Sequence, residues 1–311
     1  MDLGDHFKKL KPAMVHKVWG GTKMAALKGL AALEKGEEPL GETWEISVHP
    51  DGQSQLAEKN LGEFITQEEM PYLVKLIDTS DNLSVQVHPG DEFAKKHENS
   101  LGKTECWIIL GAKEGAGIYL GMKPGVTSEE FEKAIRNGEE MNKFLTFYPV
   151  KRGDFFFVPA GSIHAIASDV FLAEVQQSSG ITYRVWDWNR LDDAGNSREL
   201  HIDKAMQVIK FGDNWNNAET FKIQNNIFKP GCTQVIEHPQ FNLRQVSLGA
   251  GEEIEIETLG LNRAVGILNL EGKISIGEES LAPYQAAVQN LKEKKKIFVQ
   301  GQEAGSFLLV E

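Results

Sequence analysis

Four short segments carry the side chains that could do chemistry. The first, Asp81 to Asp91, reads DNLSVQVHPGD. Side chains alternate faces on an extended chain, so Ser84, Gln86 and His88 share one face while Val85 and Val87 share the other. Three polar groups backed by two valines suit a pocket wall, and they equally suit a strand with one face in water. The second, GKTECWIIL from Gly102 to Leu110, puts Lys103, Glu105 and Trp107 on one face. A Lys-x-Glu pair is also what a solvated sheet edge carries. In the third, GDFFFVPAGSIHAI from Gly153 to Ile166, a strand-like run closes on Pro159 and Gly161 just before His164. That imidazole is either a ligand or a buried structural group. The fourth, SSGITYRVWDWNR from Ser178 to Arg190, alternates to place Thr182, Arg184, Trp186, Trp188 and Arg190 on one side. A guanidinium is costly to desolvate unless it faces an anion or carboxylate. The alternative is two surface arginines flanking core tryptophans.

The spacing Gly153, Pro159, Gly161, His164 resembles the second signature motif of the cupin superfamily. There a strand ends at a Pro-x-Gly turn that presents a metal-binding histidine into a jelly-roll barrel. Where that motif commonly adds an Asn, this chain has Ser168. Taken with the other segments, Gln86, His88, Glu105 and His164 make a set of two imidazoles, one carboxylate and one amide. Such N and O donors suit Zn²⁺ or a neighbouring first-row ion. No thiolate joins them, which argues against a closed structural zinc site. A zinc ion with one carboxylate keeps a charge of about +1, a local attraction for an anionic sugar.

The elements that must position these residues are mostly strands. Gly is plentiful and Pro modest, 30 and 11 residues, and both punctuate short runs of β-branched and aromatic residues. Besides the four segments, 170–176, 241–248, 252–257, 264–270, 273–276, 296–300 and 306–310 have strand length and texture. Helical spacing occurs at 128–145, with Ser128 as the expected N-cap, and at 200–211. The expected fold is mainly β: two cupin-like jelly-roll barrels with short helical insertions. Residues 1–215 form the metal-binding barrel with insertions near 126–146 and 200–211, and 216–311 a second barrel lacking metal ligands. GAKEGAGIYLG, Gly111 to Gly121, matches no phosphate-binding loop and reads as a hairpin turn. GxSxG and HExxH motifs are absent, which removes the usual hydrolase and zincin readings.

Composition limits the partners. The 311 residues suffice for two domains of roughly 150 each. Cys106 and Cys232 form no CxxC pair, so a disulfide framework is out and a reducing compartment is expected. No signal peptide or membrane-length apolar run is expected from the sequence, which points to the cytoplasm. With 33 basic against 45 acidic residues the net charge is −12, a poor match for a phosphate polymer. No nucleic acid or membrane partner is expected.

In order along the chain, VWGG (Val18 to Gly21), GETWEIS (Gly41 to Ser47), LSVQVHPGD (Leu83 to Asp91), KTE (Lys103 to Glu105), the Pro-x-Gly-x-x-His turn and TYRVWDWNR (Thr182 to Arg190) resemble type I mannose-6-phosphate isomerases, the short bacterial form in particular. The match spans roughly residues 10 to 215. The resemblance implies one zinc ion per chain on Gln86, His88, Glu105 and His164, with Arg184 and Lys103 as catalytic residues. It places Ser84 in the substrate pocket, and Arg190 could add charge for a sugar 6-phosphate. The activity implied is interconversion of mannose 6-phosphate and fructose 6-phosphate through an enediol. Two departures stand out: Thr104 where the family usually has proline, on the far face, and Gly180 where it often has an acid. The second motivates an alternative, a bicupin that binds a sugar phosphate without turning it over. A cupin oxygenase is a third reading, since 2-His-1-carboxylate sets also serve non-haem iron.

Overall fold

A computed structural model describes residues 6–31, 37–191, 195–291 and 293–311. The chain is mainly β, as the turn-bounded apolar runs require, and its sheets are those of a jelly roll. Two antiparallel sheets build the N-terminal part. The six-stranded one runs Phe155–Val158, Glu105–Ala112, Val170–Gln177, Tyr72–Asp78, Leu40–Ile46, Ala13–His16. The five-stranded one runs Leu145–Pro149, Gly117–Met122, His164–Ile166, Val85–Val87, Tyr183–Trp186.

Alternation sorts the side chains of both sheets. In the six-stranded sheet, Trp107, Ile109, Leu172 and Ile77 point inward and meet Leu120, Ile118 and Ile166 of the five-stranded sheet. Cys106, Ile108, Val175, Val74 and Leu76 point outward and pack on the C-terminal part. Val85, Val87, Ala165 and Val185 form the outer face of the five-stranded sheet, covered by Phe131, Ile135, Ala205 and Val208 of two helices. Fully burying one such apolar side chain contributes about 1.5–3 kcal/mol, so both faces of each sheet are fixed. The inner apolar cluster fills part of the space between the sheets, and the polar residues occupy the remainder.

Several sequence expectations need correction. The helix from Ser128 to Arg136 is capped by Thr127, whose hydroxyl accepts from the Glu130 amide; Ser128 already lies inside it. It ends at Asn137, followed by Gly138 at φ +71°, so 141–145 is not its continuation but a 3₁₀ turn leading into a strand. Gly111 to Gly121 does not make a hairpin. Its strands, Glu105–Ala112 and Gly117–Met122, lie in different sheets, and the turn between them carries the chain across the sandwich. A helix at Asp91–Glu98 and strands at Leu40–Ile46 and Tyr72–Asp78 were not expected; those two strands are buried along their whole length and show no alternation.

The C-terminal part is a second pair of sheets. One runs Lys8–Lys9, Ala286–Leu291, Arg263–Glu271, Gly305–Val310, Phe241–Leu248, Gly231–His238, and the other Glu253–Glu257, Lys296–Gly301, Ile274–Ile276, Glu279–Leu281. Val246, Val265, Ile267, Ile276, Val299 and Phe307 pack between them. One strand crosses the boundary expected near residue 215: Lys8 pairs with Val288 and Lys9 with Ala287.

Candidate active site

The Pro-x-Gly turn sets the position of His164. Gly161 has φ +92°, a conformation that L side chains rarely adopt, and a Cβ there would lie 2.7 Å from Lys210 Cγ and 2.9 Å from the Val208 carbonyl. Its amide donates to the His88 carbonyl at 2.8 Å, which ties the two histidine segments together. Gly161→Ala is therefore expected to cost about 1–3 kcal/mol of stability in denaturant titration. An unchanged midpoint would show that the turn relaxes freely.

His164 pairs across the ladder with Gln86, and Gln86 pairs on its other side with Arg184. Those three side chains therefore stand in one row on the inner face. His88 follows two residues after Gln86 on the same face. From the opposite sheet comes Glu105, with Oε2 3.5 Å from His88 Nε2 and Oε1 3.4 Å from His164 Nε2. One donor atom from each of His88, Glu105 and His164 can be chosen so that all lie within 4.8 Å of one another, and all three residues are buried.

The donor chemistry of this group fits a metal ion. His164 Nδ1 can only donate to the Ser162 carbonyl, 3.0 Å away, so Nε2 carries a lone pair turned toward Glu105. That Nε2 is buried with no hydrogen-bond partner. Burial pushes the pKa of His164 down to about 4, and burial with the Lys103 charge pushes that of His88 well below its ordinary value. Both imidazoles are thus neutral near pH 7, the state in which they bind metals. Ring packing orients them: centroids lie 4.9 Å apart, and Trp107 stands edge-on to His164 at 5.3 Å.

Lys103 stands between this group and a cavity of about 280 Å³. Its Nζ is 3.0 Å from Glu105 Oε2 and 3.2 Å from His88 Nε2. Burial alone would lower its pKa, but Glu105 and Glu174 outweigh that and raise it, so Lys103 stays an ammonium. Its backbone is pinned: the Lys103 amide donates to the Pro89 carbonyl, and Asp91 accepts from the amide of Gly102 and the side chain of Gln177. Thr104, where the family usually has proline, makes two bonds of its own. Its amide donates to Gln177 Oε1, and its hydroxyl accepts from the Ala160 amide in the histidine turn. Proline could make neither.

Ser84, Gln86, Lys103 and Arg184 all line the cavity, as the alternation predicts. Arg190 is not among the lining residues. Strand geometry stops at Trp186, with a register shift after Arg184, and Trp188 and Asn189 turn to φ +57° and +56°. Alternation cannot be counted through such a turn. Arg190 is instead held by Asp187 at 2.6 Å and Asp81 at 3.1 Å.

The cavity also holds charged residues that the motifs did not single out. Lys75 lies 3.3 Å from Glu42 and 3.6 Å from Glu174, over the Trp44 ring at 4.4 Å. Trp44 donates to Glu42 at 2.7 Å and Trp107 to Glu174 at 3.0 Å. Glu174 Oε1 is buried without a hydrogen bond, and its pKa is raised by burial and by the charge of Glu105. Glu42 ends below its ordinary value, because Lys75 and Lys17 outweigh the effect of burial. Beside Gly180 the space is filled: a Cβ there would be 3.2 Å from Asp51 Oδ2, and Asp51 lines the cavity. A carboxylate therefore stands next to position 180 although the chain supplies it from elsewhere.

Residues 7–105 match the model of the phosphomannose isomerase type I catalytic domain. A mannose-6-phosphate isomerase of Streptococcus mutans is 33% identical over 289 residues, 88% of this chain and 88% of that protein. The chain belongs to the type I mannose-6-phosphate isomerase family. Within that family, the enzyme ManA of Bacillus subtilis is 38% identical over 217 residues, 64% of this chain and 67% of the relative. The crystal structure of a mannose 6-phosphate isomerase from Bacillus subtilis superposes with a TM-score of 0.78 at 26% identity, covering 98% of this chain and 99% of that one. The isomerase likeness thus extends over the C-terminal sheets, whose sequence has no chemical motif. Among the described residues no helix is long and apolar enough to cross a membrane.

Proposed function

We propose that the chain interconverts mannose 6-phosphate and fructose 6-phosphate, with one zinc ion held by Gln86, His88, Glu105 and His164. The observation that carries this reading is the adjacency, in a chain of this family, of a buried metal-capable group and a cavity holding a carboxyl drawn toward neutrality. Zinc bound there would supply Lewis-acid polarisation of the substrate's carbonyl end.

The chain's own residues do the rest. Aldose–ketose isomerisation moves a proton between carbons 1 and 2 of the sugar. A base for that step needs a free lone pair facing the cavity and a pKa near the working pH. Glu174 offers the lone pair and moves in the right direction: burial and the Glu105 charge raise its pKa, Trp107 donates to one oxygen, and the other accepts no hydrogen bond, with Lys75 3.6 Å away. Lys103 does not, because its neighbours keep it protonated; it acts as a fixed positive charge beside the sugar's reacting end. Arg184, next to Gln86 in the ladder, balances the negative charge that develops on the enediolate. Ser84, four residues before His88 and buried in the cavity wall, offers a hydroxyl to the sugar.

A coupled assay on mannose 6-phosphate, run with and without chelator, tests the reading. Turnover lost on chelation and restored by zinc is expected. Binding without turnover would leave a sugar-phosphate-binding protein, and oxygen uptake would point to an oxygenase. Arg184→Lys keeps the charge but loses the planar fork, so kcat should fall by roughly 100-fold with zinc content unchanged. Activity within about twofold, well under 1 kcal/mol in barrier, would make Arg184 a bystander.

A further inference from the structure

The arginine that faces the cavity beyond Arg184 is Arg198. Asp187 grips it along one edge, with Arg198 Nε donating to Oδ2 at 2.6 Å and Nη2 to Oδ1 at 2.5 Å. A two-point grip of this kind fixes the plane of the guanidinium. Asp187 is itself buried, and its Oδ1 also accepts from Arg190 at 2.6 Å. Asp187 thus serves two arginines, of which Arg190 has a second, more exposed partner in Asp81 at 3.1 Å. Arg184 adds a third guanidinium close by: its Nη1 donates to the Glu199 carbonyl at 2.8 Å, which carries no net charge, and its Nε is buried without a partner. The positive charges of Arg198 and Arg190, together with burial, lower the pKa of Arg184. Cations crowded until they repel one another, on a cavity lined by Lys17, Lys75, Lys103, Arg184 and Arg198 against Glu42, Asp51 and Glu174, form a site short of negative charge.

The order of groups gives that charge deficit a meaning. Gln86 lies at the metal-capable end and Arg184 is its neighbour in the ladder, on the edge strand of the sheet. Residues 199–201 hydrogen-bond to Arg184 along the open edge of that strand, opposite Gln86, and they follow directly on Arg198. A sugar with its reacting carbons near Gln86 carries its 6-substituent at the opposite end of the molecule. We propose that Arg198 receives the phosphate of the substrate, and that Asp187 is the positioning residue that sets its fork. Arg190 contributes indirectly, by sharing Asp187. This assignment rests on the sugar-phosphate isomerase reading above and names the residue that makes the site select a phosphorylated sugar.

The test compares Arg198→Met, Arg190→Met and Asp187→Asn with the unaltered zinc-loaded protein, using mannose 6-phosphate as substrate and inorganic phosphate as competitor. Arg198→Met should raise KM at least tenfold, keep kcat within about threefold and weaken inhibition by phosphate by the same factor as KM, with zinc content and melting temperature unchanged. Asp187→Asn should raise KM less, and the Asp187→Asn, Arg198→Met double variant no more than Arg198→Met alone, since Asp187 acts through Arg198. A KM within twofold for Arg198→Met, or a larger rise for Arg190→Met, overturns the assignment. If the unaltered protein does not turn over mannose 6-phosphate, the isomerase reading fails. Calorimetric titration of inorganic phosphate then still decides on Arg198, because equal affinity with and without its side chain removes it from the site.

Discussion

His164→Ala is expected to leave a folded protein that holds no zinc and has lost isomerase activity. The loss should go well beyond the roughly 10–100-fold that follows removal of an outer partner of a metal ligand, because a ligand itself is gone. His164 is fully buried, with Glu105 at 3.4 Å and the Ser162 carbonyl at 3.0 Å on its polar side, and with Trp107 and the His164 ladder partner Leu120 reaching it from the apolar cluster. Most of the apolar clusters that hold the sheets lie on their outer faces, and the inner one continues beyond Trp107 and Leu120 through Ile109, Ile118, Leu172 and Ile77. The circular dichroism spectrum should therefore persist while metal analysis falls from the proposed one zinc per chain to none. His88→Ala should behave in the same way. Full zinc stoichiometry in either variant would remove that residue from the ligand set.

Lys75→Met carries the largest expected effect on stability. The methionine fills similar space over Trp44 but leaves Glu42 and Glu174 buried without the cation they share. Breaking one partner out of a buried ion cluster typically costs about 3–5 kcal/mol, a large part of a total near 5–15 kcal/mol. The sign of the pH dependence follows from the same charges. Without Lys75 the pKa of Glu174, already raised by burial, rises further and that of Glu42 rises too, so the folded variant binds more protons than the unaltered protein and regains part of the lost stability as pH falls toward the ordinary carboxylate range. Chemical denaturation at pH 8 and pH 5 reads this directly. A loss that is the same at both pH values would mean that packing over Trp44, not charge, sets the contribution of Lys75.

The face-sharing of Ser84, Gln86 and His88, and of Lys103 and Glu105, was legible because those strands alternate between an apolar and a polar side. Glu174 and Lys75 were not, since VFLAEVQQ and YLVKLID belong to strands buried on both faces. The readable signal there was a different one: a lone charge inside an apolar run, which burial tolerates only with a partner. Arg190 was misplaced because period-2 counting ran past Trp186 into residues with positive φ. The Gly111 to Gly121 turn was identified as a turn but assigned to the wrong connection, because turn chemistry is local while sheet membership depends on strands far along the chain.

The strand Gly305–Val310 lies in the interior of its sheet, between Arg263–Glu271 and Phe241–Leu248. On the ribosome that slot stays open until residue 310 has emerged, and Lys8–Lys9 waits for a partner 280 positions downstream, Lys8 facing Val288. Until then the outward apolar face at Val74, Leu76, Ile108 and Val175 lacks part of its cover, which comes from residues as far apart as Val235, Leu268, Val288 and Leu308. A nascent chain stalled short of residue 305 would therefore present a sticky, half-finished sheet to chaperones and proteases.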